Sequence, residues 1–435
     1  MDSTTTSART APATPAASVT VAADHGPALF RPLRVRDFRL VFIGETISLM
    51  GSQFHHVAIA WLTLQLTGSG LALGAVMATA AVPRAAFILL GGALSDRLSP
   101  RTLMLGSNLL RALVVAALAV LVLAGRAELW HLFVLAAIFG MVDAVFHPAL
   151  GTIVPMLVSS RLLPAANALT QAMRQLSQLF GPVSAGIVVA TISIGAAFVF
   201  DAASFAVAAV AIMLIRGGRR PRADGDGSAE TLLANVRAGL AYAWSDPAVR
   251  SLLLLTAAFN FAFTGPVSVG LPYLAETRFD GGAVAFGLLV SAFGAGALAG
   301  AVVAGSLRRV PRLGLVVLVL AAGLGIGLAM VGNAPTLWMA LPAMGGIGLG
   351  GGFLNVRVIA WLQARTPEKM LGRVMSLVLL AGVGLAPISL ALAGVVIDLG
   401  AVSLLFSVAG GVMVAAVIAG LYGGVPSRMQ DGETA

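Results

Sequence analysis

The sequence contains no cysteine, few charged residues and few histidines. The absence of cysteine among 435 residues excludes a disulfide framework, a thiol nucleophile and a thiolate metal site. The five histidines form no metal-ligand spacing, and no GxxxxGK[ST] stretch is present, so this chain cannot draw on ATP directly. No paired catalytic carboxylates or nucleophile elbow can be placed at a common depth. We therefore expect neither an enzyme nor a metal or cofactor site.

Long apolar runs fill most of the chain. Hydrophobic residues make up 58% of the sequence and charged residues only 10%. A helix needs about 20 residues to cross a bilayer core, because lipid offers the backbone no hydrogen-bond partners. Twelve such runs are present, and they predict an all-α membrane protein with twelve transmembrane helices: 40–64, 71–94, 103–124, 129–151, 165–190, 194–215, 251–275, 283–307, 313–331, 336–361, 374–397 and 401–422.

The positive charges alternate between the two sides of these runs. With the N-terminus in the cytoplasm, 21 of the 27 lysines and arginines fall on the cytoplasmic side. Only Arg126 and Arg278 fall outside, and the remaining four, Arg84, Arg111, Arg174 and Arg357, lie within the apolar runs. This asymmetry predicts a multi-pass protein of the cell inner membrane with both termini in the cytoplasm. The net charge of +9 therefore reflects topology, and we expect the lipid bilayer and not nucleic acid as the partner of this chain.

One long internal connection divides the chain. Its segment GGRRPRADGDGS interrupts every apolar pattern, and an amphipathic helix around Leu232 to Trp244 follows it. This helix could lie in the lipid headgroup region or pack on a cytoplasmic loop. The predicted organisation is a disordered tail (1–38), an N-terminal six-helix bundle (39–215), a cytoplasmic linker (216–250), a C-terminal six-helix bundle (251–422) and a short tail (423–435).

The two bundles are predicted to be structural repeats. With an offset of 205 residues, the fifth run lies over the eleventh, and Pro182 falls on Pro387. Two six-helix repeats around a central cleft are a common architecture of secondary transporters, in which the substrate binds near the midplane.

Four segments resemble one transporter family. GGALSDRLSPRT (91–102) resembles the cytoplasmic loop signature of the major facilitator superfamily. DFRLVFIGETISLMG (37–51), LTGSGLALG (66–74) and LGRV (371–374) are similar to the branch that contains enterobactin exporters and macrolide efflux proteins. The resemblance implies the major facilitator fold and drug/proton antiport.

The signature loop is predicted to act as a gating latch. Gly92, Asp96, Arg97 and Arg101 match the signature. Asp96 could cap a neighbouring helix, and the two arginines could pair with carboxylates across the cytoplasmic seam in one state of the transporter. Alternatively, these arginines serve only the charge asymmetry of the topology.

Ionisable residues inside the apolar runs are the candidates for proton coupling. Such groups are costly in hydrocarbon and must face protein or water. Asp143 and His147 lie four residues apart on one helix face, where a carboxylate and an imidazole could relay protons. Glu45 is a second candidate acid, and Arg174 could neutralise either acid. Alternatively, Asp143 forms a structural salt bridge with Arg111 or Arg174, and Glu45 snorkels to the interface.

Further polar and aromatic residues are predicted to line the cleft. On the first bundle they share helix faces with the ionisable groups: Ser52, His56, Gln171 and Gln178. On the second bundle they are uncharged: Asn260, Phe263, Thr264 and Phe353. We assign no role to Asp201 and Asp398, which lie near the outer ends of their runs. Charges on one wall and uncharged residues on the other favour a large, partly apolar solute.

The sequence therefore predicts a monomeric exporter that moves an amphipathic small molecule outward in exchange for protons. A proton-coupled importer or a lysolipid mover of the same fold is the alternative within transporters. The alternative from another class is a transport-inactive membrane sensor or an assembly subunit, which we would expect to carry a folded soluble domain.

Overall fold

The computed structural model describes residues 28–97, 99–217, 240–422 and 425, with side chains except at 88–97, 147, 368 and 369. After a short 3-10 helix, Ala28–Arg34, these residues form twelve long helices. The helices of the first bundle are α1 (Arg36–Thr67), α2 (Gly70–Arg97), α3 (Pro100–Leu123), α4 (Leu129–Leu157), α5 (Leu163–Thr191) and α6 (Ile194–Met213). Those of the second are α7 (Pro247–Gly265, a π-helical turn Pro266–Gly270, and Leu271–Thr277), α8 (Gly282–Ser306), α9 (Leu313–Asn333), α10 (Leu337–Arg365), α11 (Glu368–Val383 and Ala386–Asp398) and α12 (Val402–Tyr422).

Local sequence explains several helix ends. Ser99 and Ser193 accept hydrogen bonds from backbone amides in the first turns of α3 and α6, which satisfies donors that have no partner inside the helix. Asp246 does the same for α7. Gly68 ends α1 with a φ of 63°, a left-handed conformation that glycine adopts without steric cost.

Ten of the twelve helices are long and apolar enough to span a membrane. The remaining two, α1 and α5, are 32 and 29 residues long but carry more polar residues. Among these residues are Glu45, Ser52 and Arg174, which lie around a cavity described below. The least apolar helices are therefore the ones that line the polar interior.

The helices pack mainly within each half of the chain. In the first half, α1 packs on α5 and α6, α2 on α4, and α3 on α6. In the second half, α8 packs on α10, and α9 on α10 and α12. The two halves meet along two main seams, α2 against α11 and α5 against α8.

The two seams have equivalent positions in the two halves. Helix α5 begins at Leu163 and α11 at Glu368, which are 205 residues apart, as the predicted repeat requires. Helix α11 differs from α5 in one respect, because it breaks before Ala386 whereas α5 continues through Pro182. The domain boundaries themselves stay a prediction, since residues 1–27, 218–239 and most of 423–435 lie outside the described residues.

The halves are joined at one end of the bundle, which contains the α1–α2, α7–α8 and α11–α12 turns and is called the closed end here. At this end Asp398 of α11 accepts hydrogen bonds from the Ser69 hydroxyl at 2.7 Å and the Leu71 amide at 3.1 Å. On the other seam, the Val183 amide donates to the Ser291 hydroxyl at 3.2 Å. In the described part of the chain, every hydrogen bond between the halves lies between the midplane and this end. The opposite end, where α1 and α7 begin, is called the open end.

Candidate polar cavity between the two bundles

The first half encloses a polar cavity of about 190 Å³. Five helices, α1 to α5, line it, and its charged or titratable residues are Glu45, His55, His56, Arg84, Arg111, Asp143 and Arg174. Glu45 and Arg174 lie in the parts of α1 and α5 that are nearer the open end. The cavity therefore lies between the midplane and the open end.

Glu45 is the least satisfied acid in this cavity. Its side chain is buried, with 7% of the residue surface exposed, and its Oε1 atom has no hydrogen-bond partner in the structure. The guanidinium groups of Arg111 and Arg174 interact favourably with the carboxylate through space. Burial of an ionised carboxylate without hydrogen bonds is costly, so a proton or a cationic group is the natural partner for this oxygen.

Asp143 has a direct partner in Arg111. The Arg111 Nη2 atom donates to Asp143 Oδ1, and this contact joins α3 to α4. Aromatic rings surround the Arg111 guanidinium, whose central carbon lies 4.6 Å from the Phe146 ring and 5.4 Å from the Phe205 ring. Weakly hydrated guanidinium groups stack well on such rings. The geometry therefore agrees with the salt-bridge alternative for Asp143.

The two adjacent histidines of α1 have different environments. His56 is bonded through Nδ1 to the Ser52 carbonyl, one turn earlier in its own helix. His55 is buried, and its Nδ1 lies 3.1 Å from Oδ2 of Asp201 on α6. The His55 ring also stacks on Phe139 with the centroids 4.1 Å apart. His55 and Asp201 thus join α1 to α6, a pairing that the sequence analysis did not anticipate.

A second space of about 280 Å³ lies between the two halves, and we call it the central space. His56, Arg84 and Asp143 face it from the first half, and Thr264 and Ser268 face it from the second. Arg84 lines both the polar cavity and the central space. No hydrogen bond or ion pair joins Arg84 to another residue in the described ranges.

The second half contains an uncharged cavity of about 210 Å³, which we call the α7–α10 cavity. Its walls come from α7, α9, α10, α11 and α12, and most of the lining residues are apolar. The polar lining side chains are Thr256, Asn260 and Asn355. This wall therefore contrasts with the charged wall of the first half.

The structure brings some of the predicted cleft residues to these spaces and leaves others elsewhere. Ser52, His56 and Gln178 line the polar cavity, Thr264 lines the central space, and Asn260 lines the α7–α10 cavity. Phe263 packs between Phe259 and Phe293. Gln171 is exposed and Phe353 is buried, and neither lines any of these three spaces.

The side chains of part of the predicted gating loop lie outside the described residues. Gly92, Asp96 and Arg97 lie in the segment 88–97, for which only the backbone is described, and the side chain of His147 is not described either. Arg101 donates to the backbone carbonyls of Ile212 at 3.2 Å and Met213 at 2.8 Å. In this state Arg101 therefore ties the start of α3 to the end of α6 within one half, and it satisfies carbonyls at a helix C-terminus.

Comparison with known proteins agrees with this architecture. The model of a family described as "Transmembrane secretion effector" matches residues 28–434. The chain belongs to this family of major facilitator transporters. It is accordingly a multi-pass membrane protein with the fold of the superfamily, and its resemblance to the efflux branch is confirmed.

Curated relatives cover most of the chain at low identity. Macrolide efflux protein A of Streptococcus pyogenes is 22% identical over 78% of this chain and 84% of its own length. Multidrug efflux pump Tap of Mycolicibacterium fortuitum is 26% identical over 79% of this chain and 84% of its own length. Enterobactin exporter EntS of Citrobacter koseri is 25% identical over 78% of this chain and 80% of its own length.

Solved structures share the fold. A POT family transporter crystallised with a thioalcohol-conjugated peptide superimposes with a TM-score of 0.72 at 14% identity, over 91% of this chain and 97% of that chain. A bacterial homologue of the iron transporter ferroportin in its inward-facing state gives a TM-score of 0.68 at 17% identity, over 89% of this chain and 98% of that chain.

Several residues of interest were not predicted from the sequence. Asp398 was assigned no role because it lies near a helix end, where water could satisfy it. Arg84, which lies within the second apolar run, and Asn355, which lies beside a glycine-rich stretch, are not among the candidates that the sequence predicts. Both carry a usable signal, since an ionisable group or an isolated carboxamide in a membrane helix requires a polar partner or an aqueous space.

Proposed function

We propose that this transporter exports an amphipathic small molecule from the cytoplasm in exchange for protons, by alternating access to the central space. The supporting observation is the placement of the acids. Glu45 has an unpartnered, buried oxygen in a polar cavity that adjoins the space between the halves. A proton and a cationic group of the substrate would compete for this carboxylate, and such competition is the basis of antiport.

Alternating access is supported by the uneven contacts between the halves. Among the residues whose side chains are described, the hydrogen bonds between the halves lie from the midplane to the closed end. The polar cavity and the α7–α10 cavity lie from the midplane toward the open end, and the central space lies at the midplane and on its closed-end side. With the predicted topology, the open end faces the cytoplasm, so this state would receive substrate from inside. Release outside would require the seams at the closed end to separate.

Roles of individual residues follow from their contacts. Glu45 is our first candidate for the proton carrier, because Asp143 is already paired with Arg111. Arg174 would hold the Glu45 carboxylate when neither proton nor substrate is bound. Asp143 and His147 remain candidates for a proton relay, and Ser52, His56, Gln178 and Thr264 are candidates for contacts with the polar part of the substrate.

Relatives guide the choice of test compounds. The curated relatives are named for macrolides, for several drugs and for enterobactin. We propose a substrate from the amphipathic compounds of this range, handled by a monomer in the cell inner membrane with both termini in the cytoplasm.

The decisive experiment uses purified protein in proteoliposomes with an imposed pH gradient, and erythromycin and ethidium as test solutes. We expect gradient-driven transport of at least one of them by the native protein. Glu45→Gln should retain solute binding but lose the response to the gradient. Glu276→Gln is the matched control, because Glu276 is an exposed acid near the end of α7 and lines none of the three spaces. Transport by Glu45→Gln with an undiminished response would remove Glu45 from the coupling step.

A further inference from the structure

The α7–α10 cavity lies at the same depth as the polar cavity but has the opposite chemistry. Its lining residues on α7, Leu252 to Asn260, lie in the part of that helix nearer the open end. Those on α10, Gly351 to Leu362, lie in the corresponding part of α10, which runs the other way. A solute entering from the open end therefore meets a charged wall on one side and an uncharged wall on the other.

The size of this cavity limits what can enter it. An engineered cavity of about 150 Å³ lined by aliphatic and aromatic side chains is large enough to hold benzene. The α7–α10 cavity measures about 210 Å³. It can therefore hold one substituted six-membered ring but is too small for a macrocycle.

Two carboxamides equip this apolar cavity for hydrogen bonding. Asn260 on α7 donates from Nδ2 to the Thr256 carbonyl at 2.9 Å, which leaves its Oδ1 atom available. Asn355 on α10 is exposed, forms no hydrogen bond with another described residue, and also lines the cavity. The two carboxamides therefore present hydrogen-bonding atoms to an otherwise apolar cavity, which favours an apolar ligand with a polar substituent.

The α7–α10 cavity also lies next to the central space. Gly382 of α11 lines the central space, and a methyl group added at its Cα would lie 3.9 Å from Nδ2 of Asn260. The Asn260 side chain therefore lies at the boundary between the two spaces. A substrate with its bulk in the central space could reach into the α7–α10 cavity with one substituent.

We propose that the α7–α10 cavity is a binding subsite for one uncharged ring of the exported solute, an aryl group that carries an amide, ester or hydroxyl substituent. Asn260 and Asn355 bond the substituent, and the aliphatic lining holds the ring. The subsite rests on the proposed export function for its physiological meaning, but its ligand chemistry can be tested without any proton gradient.

Two glycines of α10 provide a matched pair of variants. A side chain at Gly351 would enter open space, and Gly351 lines the cavity. A side chain at Gly346, five residues earlier in the same helix, would also meet nothing within 4 Å, but Gly346 does not line the cavity. Gly351→Leu should therefore fill the subsite, whereas Gly346→Leu adds the same side chain to the same helix elsewhere.

The binding experiment uses full-length protein in lipid nanodiscs, with para-fluorobenzamide as the probe and fluorine NMR line broadening as the readout. We expect the native protein and Gly346→Leu to broaden the probe signal equally. Gly351→Leu should weaken binding about tenfold or more, to the level of empty nanodiscs. Equal broadening by Gly351→Leu and Gly346→Leu would overturn the subsite, as would absence of binding by the native protein, the result expected if a lipid acyl chain fills the cavity.

The role of the amides is tested with a probe that cannot form hydrogen bonds. Asn260→Leu and Asn355→Leu keep a similar side-chain size, so they should weaken binding of para-fluorobenzamide but spare para-fluorotoluene. Equal effects on both probes would contradict the hydrogen-bonding role. If gradient-driven transport fails while the probe still binds, the proposed export function is overturned but the subsite is not. If Gly351→Leu transports aryl solutes as well as the native protein does, the substrate does not use the subsite.

Discussion

Asp398 at the end of α11 accepts a hydrogen bond from the Ser69 hydroxyl at the start of α2, at 2.7 Å, and so joins the two halves of the transporter. Its other carboxylate oxygen accepts from the Leu71 amide, in the first turn of α2. A carboxylate at a helix N-terminus is stabilised by the unpaired amides and the helix dipole. Because opening of the closed end must separate α2 from α11, this contact can exist in only one of the two access states.

Asp398→Asn should therefore shift the protein toward the state in which the closed end is open. We expect the free-energy difference between the two access states to change by about 1 kcal/mol, which is about a fivefold change in the ratio of their populations. The change is small because the contact is exposed and screened by solvent. The absence of cysteine gives a clean background for labelling, so Met77→Cys in the central space can report access from outside with an impermeant maleimide. Faster labelling in Asp398→Asn than in the control Asp280→Asn is the expected result, and equal rates would assign Asp398 no gating role.

Loss of Asp143 should destabilise the protein, as well as change its activity. Arg111 is only 4% exposed and has Asp143 as its direct ion-pair partner, so Asp143→Asn leaves the buried guanidinium with only the through-space attraction of Glu45 and Asp201. Removal of one partner of a fully buried pair costs about 3–5 kcal/mol, and we expect a smaller loss here because the Asp143 side chain is 29% exposed. Thermal unfolding in detergent should show a clear decrease for Asp143→Asn and partial recovery in Arg111→Met/Asp143→Leu. A single variant as stable as the native protein would show that the pair contributes little.

The sequence leaves this salt bridge as one of two alternatives for Asp143 and does not decide between them. The spacing of Asp143 and His147 predicts a relay on one helix face, and nothing local to α4 indicates that Arg111 of α3 reaches the same carboxylate. Long-range pairs such as Arg111 with Asp143, or His55 with Asp201, depend on helix packing and not on sequence spacing. By contrast, the helix positions follow from hydropathy alone, because the bilayer dictates the length of each apolar run.

The start of α7 should be sensitive to acid. Burial raises the pKa of Asp246, but hydrogen bonds from Arg365 and from the amides of Ala248 and Val249 outweigh it and hold the pKa below its usual value. A carboxyl whose pKa is lower in the folded state stabilises the fold above its unfolded pKa of about 3.9, and this stabilisation is lost as the pH falls through the folded value. Unfolding at pH 7 and at pH 3 should therefore differ less in Asp246→Asn than in the native protein. The exposed-acid variant Asp280→Asn should behave as the native protein, and identical pH dependence in all three would exclude Asp246 as a contributor.

Helix α10 offers a test of close helix packing. A methyl group at Gly348 would lie 2.0 Å from the Phe293 carbonyl oxygen of α8, whereas one at Gly346 would meet nothing within 4 Å. Alanine is favoured over glycine in a helix by about 1 kcal/mol, so Gly346→Ala should preserve or raise the thermal stability. Gly348→Ala should lower it, because the backbones of α8 and α10 must move apart. Equal stability of the two variants would mean that this contact adjusts freely.

The glycines of α8 allow contact with backbones on two different sides. Gly296 and Gly300 face the backbone of α10, while Gly287 and Gly294 face the backbone of α5 in the other half. A helix with glycines on both faces can stay packed against its own bundle. Its other face can then move along the neighbouring bundle without steric hindrance from side chains. We therefore expect the two bundles to move relative to each other along the contact between α8 and α5 during the transport cycle. Bulky residues on the face of α8 that contacts α5 should slow turnover without altering which solutes are recognised.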